Sequence, residues 1–161
     1  MSPILFVLLQ LTVIAIAFVG GVFLAFSDFI MRSLARTSGT GGADAMQSIN
    51  WEVFHWIFMA LFLGLVPVSL LVAGYGGLVV GQSAGLLLTM AGVVYVVGCF
   101  GITAICNVPM NKALAGMDVS AASTQDYWTT TYLPRWTFWN TVRTVACGVS
   151  AFLLLLGMSQ L

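Results

Sequence analysis

Four long apolar stretches, separated by short polar segments, dominate the pattern along the chain. Between Val53 and Asn111 there is no Asp, Glu, Lys or Arg, and this run is long enough for two helices of the roughly 20 residues that cross a bilayer. A glycine-rich break around residues 73–83 divides the run in two. The pattern therefore predicts membrane-spanning helices at about residues 4–31, 52–72, 84–111 and 136–158, within a single membrane domain over residues 1–161.

The polar segment between the first two spans has a helical pattern of its own. After a glycine-rich turn at residues 38–42, Ala43, Met46 and Ile49 recur at helical spacing. This predicts a short helix that lies at the membrane interface between helices 1 and 2. The second polar segment, Lys112 to Arg135, is predicted to be a loop. The predicted fold class is all-α, an integral membrane four-helix bundle with one short interfacial helix.

The composition narrows the class of protein further. Hydrophobic residues make up 60% of the chain and charged residues 6%, whereas about a quarter of the residues in soluble proteins are charged. A net charge of zero without a basic cluster argues against nucleic acid as a partner. Cys99, Cys106 and Cys147 show no paired spacing, so we interpret them as small apolar residues inside helices.

The positive charges predict an orientation in the membrane. All five lie at the end of the bundle that carries the two polar segments, and none lies near the chain termini or the glycine-rich break: Arg32, Arg36, Lys112, Arg135 and Arg143. Cytoplasmic loops of membrane proteins carry an excess of Lys and Arg. We therefore expect a multi-pass protein of the cell's inner (plasma) membrane, with cytoplasmic polar loops and both termini outside.

Candidate functional side chains gather at the polar ends of the predicted spans. Asn107 and Asn111 are four residues apart and share a helix face, and Trp136, Asn140 and Arg143 form one stripe at i, i+4 and i+7. Amide and ionisable groups at membrane depth are candidates for function. A structural interpretation stays open for each, because Asn can join helices by hydrogen bonds and Arg143 can pair with Glu52 or Asp28.

The tryptophans have two interpretations as well. Trp51, Trp56, Trp128, Trp136 and Trp139 all fall near the predicted membrane boundary. Tryptophan is enriched at membrane interfaces, where it anchors a helix. Flat indole rings can equally stack against an aromatic ligand.

His55 is the only histidine, and it forms a predicted stripe with Glu52, Trp56 and Met59 on the second helix. A single His can act as a general base, a proton shuttle or one metal ligand, or it can be structural. No second His or Cys stands at ligand spacing, so a closed zinc site is not predicted. We predict no cofactor and no metal site. Haem or a metal on His55 is the alternative.

These residues also carry a family resemblance. The segment Asn107-Val108-Pro109-Met110-Asn111, Trp128, and the pattern Trp136-x-x-Trp139-Asn140-x-x-Arg143-Thr144 resemble the anthrone oxygenase-like membrane proteins. Gly20-Gly21 and Met46-Gln47-x-x-Asn50 are also similar to that family's pattern. Its characterised members oxidise anthrones to anthraquinones with dioxygen, and no cofactor is clearly established for them. The resemblance implies a membrane oxidoreductase.

The resemblance and the residues together give one hypothesis with named roles. The candidate catalytic residues are His55, Asn107, Asn111, Asn140 and Arg143, and the candidate substrate-binding residues are Trp56, Trp128, Trp136 and Trp139. In this hypothesis His55 removes a proton from an anthrone-like substrate, and Arg143, with Asn107 or Asn140, stabilises the resulting oxygen anion, which reacts with dioxygen.

Other functions stay open at this point. The same polar pocket fits a non-catalytic membrane protein that binds a lipid, a quinone or a partner subunit, or a haem- or metal-binding redox protein. The expected partners are the lipid bilayer, a small hydrophobic aromatic substrate and further copies of the chain.

Overall fold

The computed structural model describes residues 2–55 and 57–161, and within them the chain is helical and has no strand. Four helices are long and apolar enough to cross a membrane: α1 (Pro3–Leu34), α3 (Ile57–Val80), α4 (Gln82–Ala115) and α5 (Ala122–Met158). The short helix α2 (Gly41–Glu52) lies between the first two and ends in a single 3₁₀ turn at Val53–His55. The predicted fold class is confirmed.

The helix boundaries differ from the predicted ones because the helices run further into the polar segments. The predicted loop at residues 112–135 is reduced to residues 116–121, and α5 begins well before Pro134. Pro134 is tolerated because the helix widens just before it, at Tyr127–Tyr132, where the Leu133 N–H bonds the Trp128 carbonyl five residues earlier. The same widening precedes Pro109, where the Val108 N–H bonds the carbonyl of Thr103.

The second span begins later than predicted. It starts at Ile57 rather than at residue 52, and Glu52 instead ends α2. Glu52 and His55 therefore do not form one helical stripe with Met59. The predicted placement of Trp56 falls outside the described residues.

The four long helices pack as an antiparallel bundle with α5 between α1 and α4, and α3 against α4. Close approach of α3 and α4 depends on glycine, since a Cβ on Gly92 would overlap the Ser69 carbonyl oxygen and lie 2.9 Å from the Ala73 Cβ. Small residues at such contacts let membrane helices come together. The contact between α1 and α3 is much less extensive, which leaves a cleft between them that we call the α1–α3 seam.

The helix α2 covers one end of the bundle, which we call the loop side, and Gly81 and the chain termini lie at the opposite end, the turn side. Ala43 and Met46 of α2 are buried against a cluster that includes Leu114 and Trp128. The amide of Gln47 donates to the backbone carbonyls of Leu114 and Met117, at 2.7 and 3.0 Å. The short helix is thereby fixed onto the end of α4.

Candidate functional site

A cavity of about 220 Å³ lies in the loop-side half of the bundle, beneath α2, and all five helices contribute to its lining. Most of the lining is apolar, with aromatic side chains from α1 and α3. Among the described residues, five polar or indole side chains also line it: Asn50, Thr103, Asn111, Trp136 and Arg143. We call it the arginine cavity.

Arg143 is the charged group of this cavity, and only 4% of it is exposed. Its Nη2 donates to the Asn140 Oδ1 at 2.6 Å, and its Nη1 donates to the Thr103 hydroxyl at 3.2 Å. The guanidinium carbon lies 4.1 Å from the centre of the Phe23 ring and 5.3 Å from that of Trp136. Aromatic faces attract cations, so two hydrogen bonds and two ring contacts hold the guanidinium in place.

No carboxylate among the described residues pairs with Arg143. Asp28, one of the expected partners, instead pairs with Arg32 at 2.9 Å. Glu52, the other, is exposed at the end of α2. The Nε of Arg143 is buried and has no hydrogen-bond partner in the part of the chain that the structure describes. A buried cation normally has a counter-ion, so this wall of the cavity favours an anion.

Asn140 is fully buried and anchors the guanidinium to α1. Its Nδ2 donates to the Phe23 carbonyl at 2.6 Å and to the Ser27 hydroxyl at 2.7 Å. These two contacts fix the amide so that Oδ1 accepts from Arg143. Asn140 is therefore placed to position Arg143, and it is not part of the cavity wall.

Asn111 joins three helices beside the cavity. Its Oδ1 accepts from the Tyr132 hydroxyl and from the Trp136 Nε1, each at 2.8 Å. The Tyr132 hydroxyl in turn accepts from the Asn50 Nδ2 of α2 at 3.2 Å. This network connects α2, α4 and α5 and leaves the amide NH₂ of Asn111 available as a donor.

Asn107 lies behind the cavity, 1% exposed, in the widened turn before Pro109. Its Nδ2 donates to the Trp136 carbonyl at 3.3 Å. Its Oδ1 is buried, with no hydrogen-bond partner among residues 2–55 and 57–161. Asn107 thus ties α4 to α5 without lining the cavity.

The structure separates the remaining candidates from the cavity. His55 is exposed, 5.6 Å from the Trp51 ring, and Trp139 packs at 5.0 Å against Phe138. Trp128 is buried and stacks on Tyr132 at 5.3 Å. None of the three lines the cavity. Within the described residues, no group of three His, Cys, Asp or Glu side chains is arranged to hold a metal ion.

Sequence reasoning missed Tyr132 and Thr103 as site residues, and it noted Asn50 only as part of the family pattern. A signal for Tyr132 was present, because Trp128, Tyr132, Trp136 and Asn140 recur at every fourth residue. The predicted loop before Pro134 concealed it. Thr103 lies one turn before Asn107, and no local pattern distinguishes it from a lipid-facing threonine.

The fold and the cavity define a class of protein: a four-span helical membrane protein with a buried cationic pocket in the loop-side half of the bundle. A family model described as anthrone oxygenase matches residues 52–153, which is more than half of the chain. The protein therefore belongs to the anthrone oxygenase family. No curated protein and no solved structure matches the chain.

Proposed function

We propose that the protein oxidises a hydrophobic, anthrone-like aromatic with dioxygen in the arginine cavity. The observation that carries this proposal is Arg143, a buried guanidinium that lines the cavity and has no acidic partner among the described residues. Preorganised positive charge in a water-poor site stabilises an anion far better than the same charge in water. In the proposed reaction the anion that Arg143 stabilises is the deprotonated substrate, which forms only during the reaction.

The chemistry follows from the acidity of the substrate. Loss of a proton from the anthrone methylene gives an anion whose charge lies on the former carbonyl oxygen. Arg143 and the Asn111 NH₂ group stabilise this oxygen. The carbanion carbon then adds to dioxygen and forms a C–O bond, and protonation gives a hydroperoxide. Loss of the second methylene proton and of hydroxide breaks the O–O bond and leaves the ketone of the quinone, with one water released. Dioxygen is the only oxidant in this sequence.

His55 is the proposed base. The support is its position in the chain: its turn also contains Val53 and Phe54, which line the cavity, and His55 itself is exposed. A histidine side chain can act as a general base. Full activity in a His55→Asn variant would contradict this role and leave the role of Arg143 unaffected.

We also propose that the loop side faces the cytoplasm of a plasma (inner) membrane. The support is the positive charge at that end of the bundle. Arg32 lies in the last turn of α1 and Arg36 just after it, Lys112 lies in the last turn of α4, and Arg135 lies in the first half of α5. Association with further copies of the chain stays a prediction.

The test measures oxygen uptake and quinone formation from anthrone by the purified protein, after subtraction of the rate without protein. Arg143→Gln should lower turnover about 100-fold or more, the usual cost of losing one oxyanion-stabilising donor. Arg135→Gln is the matched control, because this arginine is exposed at the loop side and should leave turnover unchanged. Equal activity in both variants would refute the proposal, and binding of the substrate without turnover would favour a non-catalytic binding protein.

A further inference from the structure

A second cavity, of about 670 Å³, lies in the α1–α3 seam, towards the turn side. The described residues that line it all belong to α1 or α3, and nearly all are aliphatic. Thr12, which also lines it, donates its hydroxyl hydrogen to the Leu8 carbonyl of the same helix at 2.8 Å, so this hydrogen is not available to a ligand. We call this cavity the tail groove.

The tail groove adjoins the arginine cavity along α3. Met59, Phe62 and Leu63 line the arginine cavity, whereas Ala60, Leu61 and Gly64 of the same stretch line the tail groove. On α1 the two linings are separated by the residues between Ala15 and Val22, about 10 Å along the helix axis. The two cavities thus follow one another along α1 and α3, with the charged wall in the arginine cavity and an apolar lining in the tail groove.

Part of the lining of the arginine cavity is exposed at the surface of the bundle. Phe54 is 65% exposed, Leu63 49% and Val22 39%, and the last two belong to α3 and α1, which points to an opening between these two helices. The polar wall lies opposite, with Arg143 and Trp136 each at most 5% exposed. A ligand that enters this way meets apolar side chains first and the guanidinium last.

We propose that the α1–α3 seam takes an amphiphilic aromatic substrate laterally from the bilayer, with its anionic oxygen at Arg143 and an apolar chain in the tail groove. This inference rests on the proposed function and narrows its substrate class to aromatics that carry an alkyl or isoprenoid chain. Such a molecule is already dissolved in the membrane, so it reaches the seam without crossing water. Because lipid tails are as apolar as the groove, the chain gains affinity from packing and not from dehydration.

Gly64 offers a way to block the tail groove alone. A Cβ at Gly64 meets nothing within 4 Å, so a leucine there projects into open space in the groove. Gly148 on α5 is the matched control, because it is equally open and exposed but lines neither cavity. Both changes replace a helical glycine by the same side chain, so their effects on helix propensity are equal.

The experiment measures how 4-ethylbenzoate and 4-octylbenzoate displace fluorescent anthracene-9-carboxylate from the protein in nanodiscs. The concentration of each ligand is expressed as its mole fraction in the lipid. Differences in partitioning between water and lipid therefore cancel. In the unaltered protein and in Gly148→Leu the longer chain should bind at least about threefold more tightly, a gain that reflects packing alone. In Gly64→Leu this gain should disappear while 4-ethylbenzoate binds as before.

Each outcome separates the inference from the proposed function. If the longer chain raises the affinity equally in Gly64→Leu and in the unaltered protein, the chain does not bind in the tail groove and lies in bulk lipid. This outcome would overturn the inference. If the protein still oxidises anthrone in that case, the proposed function is unaffected. Chain-dependent binding without any anthrone turnover would instead refute the oxidation of anthrone and keep the seam as the binding site of an amphiphilic anion.

Discussion

Asn140 and Arg143 form a buried pair in which an uncharged amide takes the place where a carboxylate would neutralise the guanidinium. The Asn140 Oδ1 accepts from the Arg143 Nη2 at 2.6 Å, while the Asn140 Nδ2 is held by the Phe23 carbonyl and the Ser27 hydroxyl. This arrangement orients the cation without cancelling its charge. The positive charge therefore remains available to a ligand in the cavity, and the amide is as important to the site as the guanidinium.

Substitution Asn140→Asp tests that interpretation. A carboxylate at this position should form an ion pair with Arg143 and lower the affinity for anthracene-9-carboxylate about tenfold or more, since opposite charges about 4 Å apart interact by several kcal/mol inside a protein. Binding of uncharged anthracene should change little, which controls for damage to the cavity. An unchanged affinity for the anion would show that the ligand does not contact the charge of Arg143.

Among the helices, α3 and α4 show most clearly that glycine sets the packing distance. At Gly92 a side chain has no room, because the Ser69 carbonyl oxygen and the Ala73 Cβ occupy the space. Because α3 lines both cavities and α4 presents Asn111 and Thr103, their spacing also positions the candidate site.

Gly92→Ala should therefore destabilise the bundle. Forcing a methyl group into a closely packed interface costs about 1–3 kcal/mol. Thermal unfolding in detergent should show a lower midpoint for Gly92→Ala. Gly148→Ala is the control and should be neutral or slightly stabilising, since a Cβ there meets nothing within 4 Å and alanine favours helix. Equal midpoints for the two variants would mean that α3 and α4 can separate without cost.

At the scale of the whole molecule, the two ends of the bundle differ in their charge and in whether a short helix covers them. The loop side carries α2 and the arginines, whereas the turn side carries the turn at Gly81, the start of α1 and the end of α5. The arginine cavity lies near the loop side and the tail groove extends towards the turn side. The orientation of the bundle thus determines from which leaflet a substrate's polar end would reach Arg143.

Single cysteines introduced in a background without native cysteines should report this orientation. Ser83 is exposed at the turn side, and Ser38 is exposed at the loop side. With cytoplasmic loops, a membrane-impermeant maleimide added to intact cells should label Ser83→Cys and leave Ser38→Cys unlabelled. Both positions should react after the cells are permeabilised. The reverse pattern in intact cells would place the termini in the cytoplasm.

The sequence by itself determined the membrane character, the four spans, the short helix between the first two, and the stripe of Trp136, Asn140 and Arg143. These features depend on local periodicity and on the length of apolar runs, which any stretch of chain carries on its own. The stripe was predicted correctly because all three residues lie within one helix, and all three are buried.

Only the tertiary structure decided what surrounds that stripe. The absence of an acidic partner for Arg143 among the described residues, the network from Asn50 through Tyr132 to Asn111, and the exposure of His55 all depend on how helices distant in the chain meet. The start of α5 before Pro134 was also decided at this level, because a widened turn accommodates the proline and buried aromatic contacts stabilise the extra turns. The α1–α3 seam exists only between two helices, and neither helix alone predicts it.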